Sequence, residues 1–261
     1  MPDLTVISLG AGVQSTTLLL MAVQGDLPKP DAAVFADTQA EPEAVYKQLD
    51  WVRAEAEDAG IPVYIVTAGN LWEDTLDTSK RSASIPVFLD DGSGNAGILS
   101  RQCTQDYKIQ VIRNQIAELM GGKRSKVAEL WMGISLDEVQ RMRDSNVQYI
   151  RNRYPLIEQR MSRADCVNWL QRHEYPEVAS SSCVFCPYHS NRFWRRMRDE
   201  TPQEFQRAIE FDRQIRQLRN VRGTAYLHRS LQPLEQVDLS TPEDHGQLTM
   251  FDSECEGMCG V

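Results

Sequence analysis

No run in the 261-residue chain approaches the roughly 18 consecutive apolar residues of a membrane span. No basic-then-apolar segment of the kind that directs export precedes Leu4. Internal repeats are absent too, and no Lys or Arg occurs after residue 230. The first absence excludes a helical membrane protein. The second sets the reducing cytoplasm as the expected compartment, where the six cysteines are expected as metal ligands, nucleophiles or core fillers rather than disulfides. What is present, 41% hydrophobic and 25% charged residues with a mean hydropathy of -0.44, excludes collagen-like and mostly disordered chains.

The net charge of -9 is unevenly spread. Residues 1–100 sum to -10, residues 101–230 to +8, and residues 231–261 to -7. A basic middle between acidic ends suggests an anionic ligand such as a nucleotide or nucleic acid. A solvated, arginine-rich helix face would give the same sum.

Along the first 70 residues strand and helix patterns alternate. Leu4–Leu9 is apolar and β-branched, residues 16–23 read as a helix stopped by Gly25, and Ala32–Ala36 is a second buried strand. Residues 41–59 carry Val45, Leu49, Val52 and Ala56 on one helical face, and residues 63–67 form a third strand. Strand–helix–strand order with short connections predicts a parallel sheet with crossover helices. From 74 to 100 the pattern lapses into an inserted loop or hairpin. It resumes with a helix over 105–120, a strand over 127–134, a capping box at Ser162–Asp165 opening a helix to His173, and a helix from Pro202 to about Arg219. The division predicted is an α/β domain over 1–160, a helical part over 161–231 carrying the Cys-x-x-Cys pair, and an acidic, Cys-containing tail over 232–261, mobile unless a cofactor fixes it.

Between the first strand and helix lies Ser8-Leu9-Gly10-Ala11-Gly12-Val13-Gln14-Ser15-Thr16. Glycines there let backbone N–H groups approach a phosphate, the helix N-terminus adds positive potential, and the Ser15 and Thr16 hydroxyls add donors. No Lys precedes Ser15-Thr16, so this is not a Walker A loop. A third glycine is missing, so it is not a dinucleotide fingerprint. Asp37-Thr38, at the carboxyl end of the second strand, stand where a ribose or metal would lie.

Residues 10–16 resemble the PP-loop of ATP pyrophosphatases and sulfonucleotide reductases, usually Ser-Gly-Gly-x-Asp-Ser/Thr. Val34-Phe35-Ala36-Asp37-Thr38 resembles the strand that follows it in phosphoadenosine phosphosulfate (PAPS) reductases. Cys103-Thr104-Gln105-Asp106-Tyr107-Lys108 resembles that family's Cys-Cys-x-x-x-Lys segment. Gly133 to Glu138, with Arg141 and Arg143, resembles its Gly-x-Arg…Arg segment, and Tyr154-Pro155-Leu156 its Pro-Leu stretch. The resemblance covers roughly residues 4–200. It implies an adenine nucleotide alpha-hydrolase-like, Rossmann-like fold: a mostly parallel sheet with helices on both faces and a smaller helical C-terminal part. ATP, or an adenosine sulfonucleotide, would sit on Ser8, Gly10, Ala11, Gly12, Gln14, Ser15, Thr16, Asp37, Thr38, Gly133, Arg141 and Arg143. Gln14 stands where the loop usually has Asp, and an amide cannot hold Mg²⁺ as a carboxylate does, which leaves Asp37 to compensate. Ser135 replaces an Arg.

Cys183-Val184-Phe185-Cys186 has the spacing of two thiolates on one metal, of a redox dithiol or of half a zinc site. Cys103 adds a third thiolate at the family's cluster position. The expected group is a [4Fe–4S] cluster on Cys103, Cys183 and Cys186, with zinc on the same thiolates, with or without His189, as the alternative. Cys255 and Cys259 in the tail are candidate nucleophiles or a fourth ligand. Cys166 reads as core filler, and His173 and His228 as ordinary polar contacts. In 192–198, Arg192 and Arg195 read as a phosphate grip, with Phe193, Trp194 and Met197 in the core.

What the resemblance implies is an enzyme that adenylates an acceptor, releasing pyrophosphate, and then inserts sulfur from a sulfur or electron donor. The acceptor would be nucleic acid, nucleotide or metabolite. The alternatives are a sulfonucleotide reductase with a tail cysteine as nucleophile, and a non-catalytic nucleotide- or nucleic-acid-binding partner with structural zinc.

Overall fold

The computed structural model describes residues 2–79, 84–92, 96–122, 126–241 and 244. In chain order it runs β1 (Leu4–Leu9), α1 (Val13–Gln24), β2 (Ala32–Ala36), α2 (Glu43–Asp58), β3 (Val63–Val66) and α3 (Leu71–Leu76). There follow a hairpin of β4 (Phe88–Asp90) and β5 (Ala96–Ile98), a π-helical turn (Gln105–Ile109) continuing into α4 (Gln110–Leu119), and β6 (Ala128–Met132). After a 3-10 segment (Leu136–Arg141) come β7 (Ile150–Arg153), α5 (Pro155–Glu158), α6 (Arg163–Arg172), α7 (Asn191–Glu200), α8 (Pro202–Ile215), β8 (Thr224–Tyr226) and a 3-10 turn (Leu234–Gln236).

The main sheet has five strands in the order β3-β2-β1-β6-β7, and every neighbouring pair is parallel. Helices cover both faces, because the strands are apolar on both sides of their two-residue repeat. Ile7, Leu9, Ala33, Phe35 and Trp131 pack under α1, α2 and α6. Val6, Val34, Ala36, Leu130 and Met132 pack on the other side, under Val111, Ile112 and Ile116 of α4. The chain builds outward from β1 to β3, then returns to the opposite side of β1 with β6. The strand order therefore reverses between β1 and β6, and a crevice opens there at the carboxyl ends. The predicted α/β class and Rossmann-like sheet are what is observed.

Several elements were not foreseen. β7 escapes an apolar-run reading because Ile150-Arg151-Asn152-Arg153 is largely polar; Arg153 lies over the Trp131 ring at 5.1 Å and donates to Glu129 at 3.2 Å. The 74–100 insertion does contribute a hairpin, β4–β5, one of the two forms expected of it, while β8, which adds to it in a second, antiparallel sheet ordered β5-β4-β8, was not expected. A second core lies outside the main sheet. It joins Leu71, Ile85, Val87 and Tyr107 to Phe185, Trp194, Phe211 and Leu227. Phe185 stacks on Phe211 at 4.0 Å between centroids, and Trp72 meets Phe211 edge-on at 4.7 Å.

The tail expected to be mobile from 232 is packed over its first ten residues. Leu234 and Leu239 are buried in the second core, and Asn191 donates to the Ser240 carbonyl at 2.9 Å. Buried Asp212 fixes this end of the core: it accepts from the Leu227 and Leu234 N–H groups at 2.9 and 3.0 Å and pairs with Arg216.

His228 is buried here as a neutral ring. Its Nε2 donates to Asn191 Oδ1 at 3.0 Å and its Nδ1 accepts from the Ser230 N–H at 3.1 Å, so both nitrogens are matched without an extra proton. Burial, with Arg229 nearby, pushes its pKa down to about 4. The unfolded chain takes up this proton near pH 6.5, so the unfolded state binds more protons between about 6.5 and 4. The stability His228 contributes is complete above 6.5 and is lost as pH falls through that window, at up to about 1.4 kcal/mol per pH unit. Urea denaturation of wild type and His228→Gln at pH 7 and pH 4 checks this: the wild-type advantage shrinks at pH 4, and an unchanged gap refutes the assignment.

Candidate functional site: a cleft at the switch point

At the carboxyl ends of β1 and β6, an open cleft of about 700 Å³, its solvent-filled mouth included, is lined by Ser8, Gly10, Gly12, Gln14, Ser15 and Gly133. Lys108, Arg141 and Arg163 reach it from three different elements, and residues 179–181 close one side. Three cations and a helix N-terminus converge there, while Glu138 is the one acidic lining residue among the described residues. α1 starts at Val13, three residues earlier than the sequence pattern placed it, with Gly12 as N-cap. Its first turn carries no side-chain cap and no acidic residue, so its N–H groups face the cleft without an internal anion.

The loop is shaped differently from what its glycines suggest. Gly12 has φ -89°, which any residue adopts, and a Cβ there would meet only Ser181 at 3.9 Å. The left-handed residue is Ala11, at φ +56°, a conformation that costs an L-residue roughly 1 kcal/mol. Gln48 of α2 holds it in place, donating to the Ala11 carbonyl at 2.7 Å and to Thr16 Oγ1 at 3.2 Å while accepting from the Ala179 N–H at 2.6 Å. Sequence reading passed over Gln48. The signal was there: a glutamine inside an otherwise apolar helix face. The glycine whose missing side chain matters is Gly133, where a Cβ would lie 2.7 Å from the Ser15 Cα and N.

The two hydroxyls expected to face the ligand are engaged inside the loop. Ser15 Oγ accepts from the Gly10 N–H at 3.1 Å and donates to the Gly12 carbonyl at 3.3 Å, and Thr16 is fully buried against Gln48. Ser181 donates to the Gly10 carbonyl, tying segment 179–182 to the loop.

Gln14 has a defined role. Its Nε2 donates to Glu138 Oε2 at 3.2 Å and its Oε1 accepts from Arg163 at 3.3 Å, while Glu138 Oε1 accepts from Arg141. The chain Arg163–Gln14–Glu138–Arg141 crosses the cleft. An amide can bridge a cation and a carboxylate because it is both donor and acceptor; an Asp at 14 would face Glu138 with like charge. Lys108 is held by buried Glu41 at 3.4 Å.

Asp37 and Thr38 do not line the cleft. Asp37 Oδ1 accepts from Tyr46 at 2.9 Å and from the Gln39 N–H at 2.7 Å, and Tyr46 is pushed up in pKa by its burial and by that contact. Thr38 is buried with Oγ1 3.4 Å from Cys183 Sγ. Asp37 is thus not placed to compensate for Gln14. Both Glu138 oxygens already have protein partners, so among the described residues no lining carboxylate is open to Mg²⁺, and phosphate charge would be met by Lys108, Arg141, Arg163 and the helix. Arg143 lies outside this cleft, in a neighbouring cavity that Ser8, Lys108 and Arg141 also line.

Cys103, Cys183 and Cys186 all pack on the second core, Cys183 buried and the others half-buried. Val184 and Phe185, both buried, anchor the turn between the latter two. His189 is not aimed at a metal: its Nε2 donates to the Cys183 carbonyl at 2.9 Å, its ring stacks on Phe193 at 3.8 Å, and burial lowers its pKa to about 3. Among the described residues no group of three or more His, Cys, Asp or Glu is arranged to take a metal ion. The three thiols thus share one core, and Cys255 and Cys259 lie outside the described residues. Cys166 is core filler, fully buried with its thiol pushed up to about 12 by burial. On α7, Trp194 and Met197 are buried as expected, while Arg195 pairs with Asp244 and Arg198 with Asp199.

No family model and no curated protein matches this sequence. Among solved structures, the chain is similar to a phosphoadenylyl-sulfate (PAPS) reductase from Candida auris in a phosphate complex. The two are 15% identical with a TM-score of 0.42, over 68% of this chain and 76% of that one.

Gly133→Ala should push the Ser15 backbone and weaken nucleotide binding by about tenfold, roughly 1.4 kcal/mol, whereas Gly12→Ala should change it little. Isothermal titration with ATP compares the two; equal effects would show that the Gly133–Ser15 approach does not shape the cleft.

Proposed function

We propose that this protein is an enzyme that binds an adenine nucleotide by its phosphates in the switch-point cleft and activates an acceptor at the α-phosphate, releasing pyrophosphate. The observation that carries the reading is the convergence of the uncapped α1 N-terminus with Lys108, Arg141 and Arg163 at the point where the strand order reverses. Polyphosphate is the ligand such a place suits: N–H donors on one side, fixed cations on the other, and a glycine that lets the end of β6 approach the first turn of α1.

In this reading the N–H groups of the loop hold the outer phosphates. Lys108 and Arg141, oriented by Glu41 and Glu138, neutralise charge that develops as the bond to pyrophosphate breaks. Arg163 and Gln14 fix the loop against the 3-10 segment, so the donors need no rearrangement when the nucleotide arrives. The electrons of the broken bond leave with pyrophosphate, and the acceptor oxygen forms the new bond to phosphorus. Delivery of sulfur to the activated acceptor is the outcome the sequence resemblance implies.

Incubation with ATP and candidate acceptors, scored for pyrophosphate and AMP, tests the proposal. The expected result is acceptor-dependent pyrophosphate release that Arg163→Ala reduces by at least about tenfold in kcat/KM, a loss of roughly 1.4 kcal/mol. Sulfite release from an adenosine sulfonucleotide, with no turnover of ATP, would replace this reading with a reductase. The absence of any ATP binding would overturn it.

A further inference from the structure

Beside the switch-point cleft lies a larger cavity of about 1170 Å³, open solvent included, which the nucleotide reading leaves unused. It is a groove between two walls. One is a single face of the π-helical turn and α4, bearing Gln105, Lys108, Ile109, Ile112 and Arg113 at helical spacing. The other is the strip 141–146 with Ile150 and Asn152 of β7, and the floor is Leu130 and Met132 of β6. Arg101, Lys108, Arg113, Arg141 and Arg143 line it, with Asp144 the one lining carboxylate among the described residues. A groove with an aliphatic floor and a strongly cationic rim does not suit a neutral metabolite or a cation. It suits a flat, apolar ring joined to phosphate.

The walls are built to hold their shape. Arg113 bridges the groove to Asn146. The strip is pinned at Arg143, whose N–H donates to Tyr154 Oη at 2.9 Å and whose carbonyl accepts from Tyr154 at 2.6 Å and from Asn152 at 2.9 Å. Ser8, Lys108, Met132 and Arg141 line both cavities, so whatever fills the groove meets the nucleotide across Lys108 and Arg141.

We infer that this groove is the acceptor site and that the acceptor is a nucleoside phosphate, presented as a mononucleotide or as a unit of a single strand. The inference deepens the proposed function and rests on it only for the order of events; occupancy of the groove is a separate matter. The base or sugar lies on Ile109, Ile112, Leu130 and Ile150, the phosphate meets Arg113 and Arg143, and the face to be activated points through the shared rim toward the α-phosphate.

Binding of a short fluorescein-labelled oligothymidylate, and of thymidine monophosphate, is measured with and without saturating α,β-methylene ATP. At least one probe should bind while the analogue is bound. Arg113→Glu and Arg143→Glu should each weaken that probe about tenfold or more, and for the oligonucleotide lower the salt-dependence slope by about 1, with affinity for the analogue unchanged. Preference for the oligonucleotide identifies a strand as the source, and equal affinity a mononucleotide. No binding of either probe, binding indifferent to both substitutions, or complete displacement by the analogue overturns the inference. Should the analogue fail to bind while a probe binds with the expected arginine dependence, the groove stands and the nucleotide reading falls.

Discussion

The backbone at the end of β6 touches the backbone at the start of α1, and the geometry of the cleft depends on that contact. Gly133 can approach Ser15 only because nothing projects from its Cα. With the end of β6 this close to α1, the α1 N-terminus, Lys108 and Arg141 line one cleft. The other contacts maintain this approach. Gln48 holds the left-handed Ala11, Ser15 closes the loop on itself, and Ser181 clips it from outside. These groups determine where a phosphate would sit without themselves being its ligands.

The Arg163–Gln14–Glu138–Arg141 chain shows why a residue's type must be weighed with its neighbours. In isolation, an amide at position 14 looks like a lost carboxylate. Beside Glu138 it is the side chain that satisfies an anion on one side and a cation on the other. Positive charge in the cleft is thereby held in fixed positions rather than cancelled, the arrangement that favours preorganised electrostatics over solvent reorganisation.

The main parallel sheet up to β3, its β6, the capping box at Ser162 and the fate of Cys166 were legible, because each follows from local periodicity or a two-residue exchange of hydrogen bonds. The loop was found for the right reason, its place after β1, but its internal logic was not. The glycines at 10 and 12 attract notice, yet the strained residue is Ala11 and the indispensable glycine is 121 positions beyond Gly12. β7 was hidden by polar residues whose partners, Glu129 and Glu158, lie elsewhere in the chain. The second core was hidden for a related reason: its members come from segments separated by the whole of β6, β7 and α6, and no window of sequence contains both halves.

That interleaving bears on how the molecule is assembled during synthesis. Leu71, Ile85, Val87 and Tyr107 emerge early but find their partners only when Trp194, Phe211, Leu227, Leu234 and Leu239 have been made. From Tyr107 to Trp194 the nascent chain lengthens by a third of its 261 residues before the first of these partners is made. Contacts of such large sequence separation slow folding and leave sticky surface exposed meanwhile. The polypeptide thus resists being cut into autonomous halves, because neither half holds a complete second core.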